Sequence, residues 1–383
     1  MRSLARARRL IVLALLFAAL GAGLAYGSWI AAQLRAVVVL STTLETPVLT
    51  WVVKHLTDEP RVEDARVAGV PSTVARPGGG EGPWPAIVVV NGATPLGRRE
   101  PDVEDLARGL ARAGHLVVVP DLPGLAAGEI TKRTADATVS VALAVARRSD
   151  VRDGRVSLLG VSVGASLALL AAEEPTLAGR IRLVAGIAPY ADLAEIIRLA
   201  TTGHFEDDGR LERYEADPFL GIVVGRSLVA ALPPGEDRDA LLAALPETAE
   251  EDAADPLGPL RRRAVAVTDE TAQAVVELLA NQDPDRFDQL LAALPEELHA
   301  GLARLSPLAR AGALRARVEL ASAPEDRYFP VAHSRALVRA ARNARLTVTG
   351  AFAHAVPAPD LTDPGDVLRF DGWAVRSLRA LRR

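Results

Sequence analysis

Apolar residues follow two alternating rhythms along this chain, and the alternation predicts most of its elements. Short, mostly apolar runs occur at Ala86–Val90, Leu116–Val119, Val156–Leu159 and Ile181–Ala188, with two further strands over Arg317–Ala321 and Ala344–Thr349. Runs of this length without polar alternation read as strands covered on both faces, the habit of a parallel sheet. Between them lie helical stretches. Glu104–Ala113 sets Leu106 and Leu110 on one face and stops at Gly114, Ala135–Arg148 and Val331–Arg342 follow the same period, and Ala165–Ala172 is small and apolar. Asp366–Leu381 predicts a closing amphipathic helix, with Leu368, Val375, Leu378 and Leu381 as its apolar positions. Arg61–Arg76 alternates and carries β-branched residues, which predicts one or two edge strands. Strand–helix alternation of this kind argues for an α/β fold, a mostly parallel sheet with helices on both faces.

Two regions break the rhythm. Residues 191–312 are dominated by helical patterns with charged faces, joined through Pro233-Pro234, Asp255-Pro256 and Asp283-Pro284, with no strand signal comparable to those before. They read as a helical cap inserted between a first core part, 59–190, and a second, 313–383; an independent helical domain is the alternative. At the other end, Arg2, Arg6, Arg8 and Arg9 precede Leu10–Ala32, 23 residues counted inclusively without a charge. As a helix that run spans about 34 Å, enough to cross a bilayer.

A signal peptide cleaved near Gly23-Leu24-Ala25 competes with a retained anchor over residues 1–33. The run continues past the cleavage site to Ala32, which favours the anchor; an unusual core helix of a soluble protein is the third reading. The arginine cluster orients the N-terminus to the cytoplasm and the remainder of the chain outside it, membrane-anchored or, after cleavage, secreted. Residues 34–58 read as an amphipathic juxtamembrane segment. Glu45 and Pro47 disfavour a second span over 36–56, and Trp51, Lys54 and His55 suit an interface.

Composition narrows the function classes. Hydrophobic content of 49% with 24% charged residues describes a globular chain of 383 residues with a sizeable core. A net charge of -4 leaves no nucleic-acid footprint outside the arginine-rich start. The absence of cysteine excludes disulfides, zinc–thiolate sites and a cysteine nucleophile. There is no G-K-[ST] phosphate loop and no paired histidine spacing, so no cofactor and no metal are expected.

The candidate chemistry lies in Gly160-Val161-Ser162-Val163-Gly164, between the strand Val156–Leu159 and the helix Ala165–Ala172. A strand that turns at once into a helix brings two backbones together, which only small residues on either side of the turn allow. The turn then leaves the Ser162 hydroxyl at the strand's carboxyl end, a nucleophile elbow. In a chain with 30 glycines the pattern can also arise by accident. A serine hydroxyl needs a base within reach. Of six histidines, His354 alone follows a strand at the sheet's carboxyl edge. His55 lies in the N-terminal segment, His204 and His299 lie in the insertion, His115 opens a strand at the far edge, and His333 sits on a helix.

The order strand, Asn91-Gly92; strand, Asp121-Leu-Pro-Gly124; G-x-S-x-G; helical insertion; strand, Asp326 with Pro330; strand, His354 resembles the α/β-hydrolase fold, most of all its dienelactone hydrolase-related branch. The resemblance covers about 60–190 and 313–383. It implies a nucleophile–acid–base order that Ser162, Asp326 and His354 obey, with Asp326 orienting the imidazole and Glu325 as the neighbouring rival. Dienelactone hydrolases use cysteine where this chain has Ser162, which shifts the expectation to serine esterases of the branch. The oxyanion donors would be the N–H groups of Val163 and Ala93. Many relatives carry His-Gly where Asn91-Gly92 stands, and Asn91 can still hydrogen-bond to fix that loop. Asp121 and Gly124 are expected to shape a turn.

The reading is thus a serine hydrolase of carboxylic esters acting on a small-molecule ester or acyl substrate. A peptidase, thioesterase or acyltransferase with the same triad is one alternative; a membrane-tethered binding protein on a hydrolase scaffold is another. Substrate identity and oligomeric state are not written in the sequence.

Overall fold

The computed structural model describes residues 27–42, 51, 53, 55–250, 253–354, 356–357 and 363–381. Its strands in chain order are β1 (Arg61–Val67), β2 (Val70–Arg76), β3 (Trp84–Val90), β4 (Leu116–Pro120), β5 (Val151–Val161), β6 (Ile181–Ile187), β7 (His204–Asp207), β8 (Arg210–Arg213), β9 (Arg317–Ser322), β10 (Ala344–Val348) and the two-residue pair β11 (Phe352–Ala353) and β12 (Val356–Pro357). Eight of them form one sheet in the order β1-β2-β4-β3-β5-β6-β9-β10. β2 runs antiparallel to both β1 and β4, and every pairing from β4 through β10 is parallel. This is the strand order of the α/β-hydrolase fold.

Consecutive apolar residues feed two cores because successive side chains point to opposite faces. Val88, Val90, Val118 and Leu158 join one core, with the helices Lys132–Ala146, Val163–Glu173 and Val331–Ala340. Ile87, Val89, Val117 and Val119 join the other, with the helices Pro101–Arg112 and Pro364–Ala380 and the helix over 27–42. Each fully buried valine contributes about 2 kcal/mol.

Asp153-Gly154 lies inside β5 as a bulge, with φ of 58° and 60°. There, two steps of β3 (Trp84 to Ala86) face five of β5 (Val151 to Val156). Leu368, an expected core position of the closing helix, is 71% exposed, whereas Val375, Leu378 and Leu381 are buried. The insertion holds a strand pair, β7–β8, that its hydrophobic pattern does not announce because β8 is exposed throughout. The signal was in the turn: Asp208-Gly209, with φ of 49° and 77°, is the Asp-Gly type that joins hairpin strands.

The rest of the segment between β6 and β9 is helical, including Leu193–Thr202, Phe219–Ala230, Glu236–Ala244, Glu270–Ala280 and Glu296–Arg304. Its apolar residues, among them Leu220, Val223 and Val275, are continuous with the first core. Its two ends are tied together, since Tyr190 Oη donates to Leu305 O at 3.0 Å and Leu193 N–H to Ser306 Oγ at 2.9 Å.

Of the apolar run Leu10–Ala32 only 27–32 is described; the arginine cluster, Gly23-Leu24-Ala25, Glu45, Pro47 and Lys54 lie outside the described residues. Among the described residues no helix is long and apolar enough to cross a membrane.

Candidate active site

Ser162 sits between β5 and the helix Val163–Glu173 with φ 55° and ψ -130°, a conformation that costs a non-glycine residue of order 1–3 kcal/mol. The backbone around it leaves no alternative. A Cβ on Gly160 would collide with the Gly164 carbonyl and Ala165 Cα, and one on Gly164 with the carbonyls of Val90 and Asn91. Ser162 N–H donates to Ile187 O at 2.8 Å, which anchors the turn to β6. The two glycines therefore permit the approach and the neighbouring strand fixes it.

His354 comes directly after β11, beyond the carboxyl end of β10, in a turn with φ 59°. Its Nδ1 lies 2.8 Å and 3.0 Å from the two carboxylate oxygens of Asp326, and both residues are buried. Asp326 Oδ1 also accepts from Tyr328 N–H at 2.8 Å and Phe329 N–H at 2.9 Å, so the loop after β9 folds around its own acid. Tyr328 and Phe329 meet the imidazole edge-on, at 4.5 and 5.6 Å between ring centroids. Glu325, the rival acid, is exposed. With Nδ1 engaged, Nε2 is the nitrogen left to serve a nucleophile. Ser162 and His354 line one cavity, but among the described residues no hydrogen bond joins Ser162 Oγ to His354. Such bonds commonly tighten only when substrate binds.

The oxyanion candidates flank Ser162. Val163 opens the helix, so its N–H is one of the four without an intrahelical acceptor. Ala93 lines the same cavity. Its loop is pinned by Asn91, whose Oδ1 accepts from Gly92 N–H at 2.8 Å and whose Nδ2 donates to Gly97 O at 2.9 Å. Gly92 packs directly on Ser162; a Cβ there would stand 3.4 Å from Ser162 Cβ. Asp121 holds the far side of this loop by accepting from Arg98 N–H at 2.9 Å and Nε at 2.7 Å, and Gly124 takes a left-handed φ of 80°.

Two other buried histidines make different contacts. His333 is buried under the acid loop, where its Nδ1 accepts from Ala191 N–H at 3.2 Å and burial pushes its pKa down to about 4. His115 is buried against Leu110 O at the opposite edge.

Residues of the insertion join the site in a way the sequence did not reveal. Tyr214 Oη donates to the Asp326 carbonyl, and its pKa is pushed up to about 12, by burial first and then by the Asp326 and Glu325 charges. Asp217 N–H donates to Arg327 O at 2.7 Å while its carboxylate pairs with the Arg327 guanidinium. Phe219, Leu220 and Val223 line the cavity. The insertion also grips the loop after β4: Arg226 Nε donates to Ala127 O at 2.6 Å, and Ser227 Oγ accepts from Ile130 N–H at 2.9 Å.

No protein-family model and no curated protein matches the sequence. Solved structures of similar fold include a putative dienelactone hydrolase from Klebsiella pneumoniae, 14% identical over 83% of this chain and 100% of that one, with a TM-score of 0.44. Brefeldin A esterase, a bacterial homologue of human hormone-sensitive lipase, is 19% identical over 90% of this chain and 86% of its own, TM-score 0.47. An acylaminoacyl peptidase is 14% identical over 85% of this chain and 42% of its own, TM-score 0.47. All three are hydrolases; at these identities the likeness is one of fold, and each keeps its own substrate.

Proposed function

We propose that the protein is a serine hydrolase that cleaves carboxylic esters through an acyl-enzyme. The observation that supports this most is the buried Asp326–His354 pair, 2.8 Å apart, opening on the cavity that Ser162 lines from its strained elbow. Ser162 Oγ attacks the acyl carbon while its proton passes to His354 Nε2. Asp326 holds Nδ1–H and stabilises the imidazolium without itself taking the proton. The N–H groups of Val163 and Ala93 receive the oxyanion. The carbon–oxygen bond to the alcohol then breaks, and the leaving alkoxide takes the proton from His354. Water repeats the sequence: His354 removes its proton, the hydroxide adds to the acyl carbon, and Ser162 leaves with the proton as the carboxylic acid departs. A small-molecule ester or acyl compound is the substrate class.

Fluorophosphonate labelling of the full chain tests this reading. The wild type is expected to label, and Ser162→Ala and His354→Ala to lose the label, the latter by at least about 10³-fold in rate. Equal labelling of all three proteins would place the nucleophile elsewhere. A folded wild type that neither labels nor turns over any ester would be a binding protein on a hydrolase scaffold.

A further inference from the structure

The cavity that holds Ser162 and His354 has a volume of about 1010 Å³, the upper end of the range for ligand sites, and it is longer than it is wide. Pro101 and Leu110 both line it from one helix, and Val367 and Leu381 from another. Those separations are about 14 and 21 Å along the helix axes. Since Leu110 and Leu381 stand near the helix ends remote from the catalytic edge of the sheet, the cavity runs down the sheet face. Its depth is lined by Leu159, Trp373 and Leu378, a shape and chemistry that suit a linear apolar chain.

The outer wall is the helix over 27–42, through Ala36, Val39 and Leu40. This helix is seated tightly. Ala32, Ala36 and Val39 are buried, a Cβ on Gly109 would come within 3.2 Å of Val39 Cα, and Gln33 Nε2 donates to Asp371 Oδ1 of the closing helix at 2.7 Å. The opposite face presents Trp29, Ile30, Leu34 and Val37 outward, with Leu34 63% exposed. An apolar face of that kind on a helix has no partner in water. The chain before it supplies the context. The uncharged run Leu10–Ala32 overlaps this helix at 27–32, so the cavity wall at Ala36 begins one turn beyond a segment long enough to span a bilayer.

We propose that the cavity is an acyl-chain channel opening towards a lipid bilayer, and that the substrate is a long-chain acyl ester taken from that bilayer. The proposal rests on the ester-hydrolase reading of Ser162 and names its substrate class. The outward face of helix 27–42 lies on the lipid surface, its inward face guides the acyl chain, and the ester carbonyl meets Ser162 at the catalytic edge.

The test uses the full chain reconstituted in vesicles of phosphatidylethanolamine and phosphatidylglycerol. With p-nitrophenyl esters, kcat/KM is expected to rise about fourfold for each added methylene between four and eight carbons. The ratio of the twelve-carbon to the two-carbon ester should fall at least tenfold in Val367→Trp and Ala36→Phe. Val367 is partly exposed, so it carries the test if the buried Ala36 variant does not fold. A long-chain ester embedded in the enzyme's own vesicles should be cleaved at least tenfold faster than one in separate vesicles. A rate that does not rise beyond four carbons, a chain-length ratio unmoved by Val367→Trp, or equal cleavage in the two vesicle populations would each overturn the proposal. The last result would leave the apolar face to a protein partner.

Labelling of Ser162 by an ethyl fluorophosphonate separates the two readings. Labelling without a chain-length gain ends the channel and leaves the hydrolase. If neither labelling nor hydrolysis occurs, the hydrolase reading fails, and thermal stabilisation by dodecanol then reads the channel alone. Stabilisation that Val367→Trp abolishes supports it, and none refutes it.

Discussion

The Ser162 turn is permitted by the glycines two positions either side of it, whereas the acid loop that carries Asp326 takes its outer support from residues more than a hundred positions away. The elbow is defined by Gly160, Gly164 and one hydrogen bond to β6. The acid loop takes its outer support from Tyr214 and Asp217, 112 and 110 positions from their partners. A nucleophile can be built by one tight turn because it needs only a direction. An acid–base pair needs a distance between two chain segments, and that distance is set by what packs around both. The two halves of the site should therefore fail differently when disturbed.

The most disruptive change is expected at the elbow. In Gly164→Ala the new methyl meets two backbone carbonyls that cannot move aside, and a loss of more than about 3 kcal/mol is expected in the urea midpoint or as insoluble protein. Wild-type stability in that variant would show that the elbow is not fixed locally. On the other side, Asp326→Asn should leave the fold intact and lower kcat by about 10³–10⁴-fold through the wrong imidazole tautomer. Glu325→Gln should stay within about twofold; a comparable loss there would move the acid.

Tyr214→Phe sharpens the contrast further. It deletes one hydrogen bond to the acid loop, worth about 1 kcal/mol of stability, and kcat should fall severalfold with KM unchanged. An effect on KM alone would make Tyr214 a cavity residue and not a support of the acid.

The smallest expected effect is in the pH dependence of stability, where the two sides titrate in opposite directions. Glu173, at the end of the elbow helix, is buried with neither carboxylate oxygen hydrogen-bonded, and Arg310 stands 3.9 Å away. Burial raises its pKa from 4.5 to about 8. The folded carboxyl thus holds its proton more tightly than the unfolded one, and stability declines as pH rises from about 4.5 to 8. His333, beneath the acid loop, is held at about 4 against the usual 6.5, so the unfolded chain takes the proton first and stability declines as pH falls from 6.5 towards 4. Thermal melts of Glu173→Gln should flatten the alkaline limb and those of His333→Asn the acid limb, each by on the order of 2 °C. Melting curves that keep both limbs in both variants would assign them to other groups.

What could be read from the sequence divides along the same line. Buried strands, crossover helices and the elbow are local patterns, and Ser162 is legible because Gly160 and Gly164 frame it within five residues. His354 and Asp326 were legible by their position after strands, with Asp326 chosen over Glu325 by the resemblance. Tyr214 and Asp217 were not, because nothing near either residue in sequence points to the loop it grips. Leu368 misled for a related reason: its helical phase is apolar, but the helix end on which it sits reaches past the core. The wall of the cavity was hidden in the same way, since Ala36 and Val39 continue an apolar run and only their packing on Gly109 gives them a second use.

The double attachment of the insertion, to the acid loop through Tyr214 and Asp217 and to the loop after β4 through Arg226 and Ser227, limits how this protein can diversify. An inserted segment that only roofs a pocket can be exchanged for another with little harm to the machinery beneath. Here such an exchange would remove struts from the acid loop, so descendants that swap the segment would lose rate before gaining a new substrate. Tolerated variation is therefore expected to accumulate along the opposite wall, at Leu106, Val367 and their neighbours, where side chains shape the cavity without bearing on the three candidate catalytic residues.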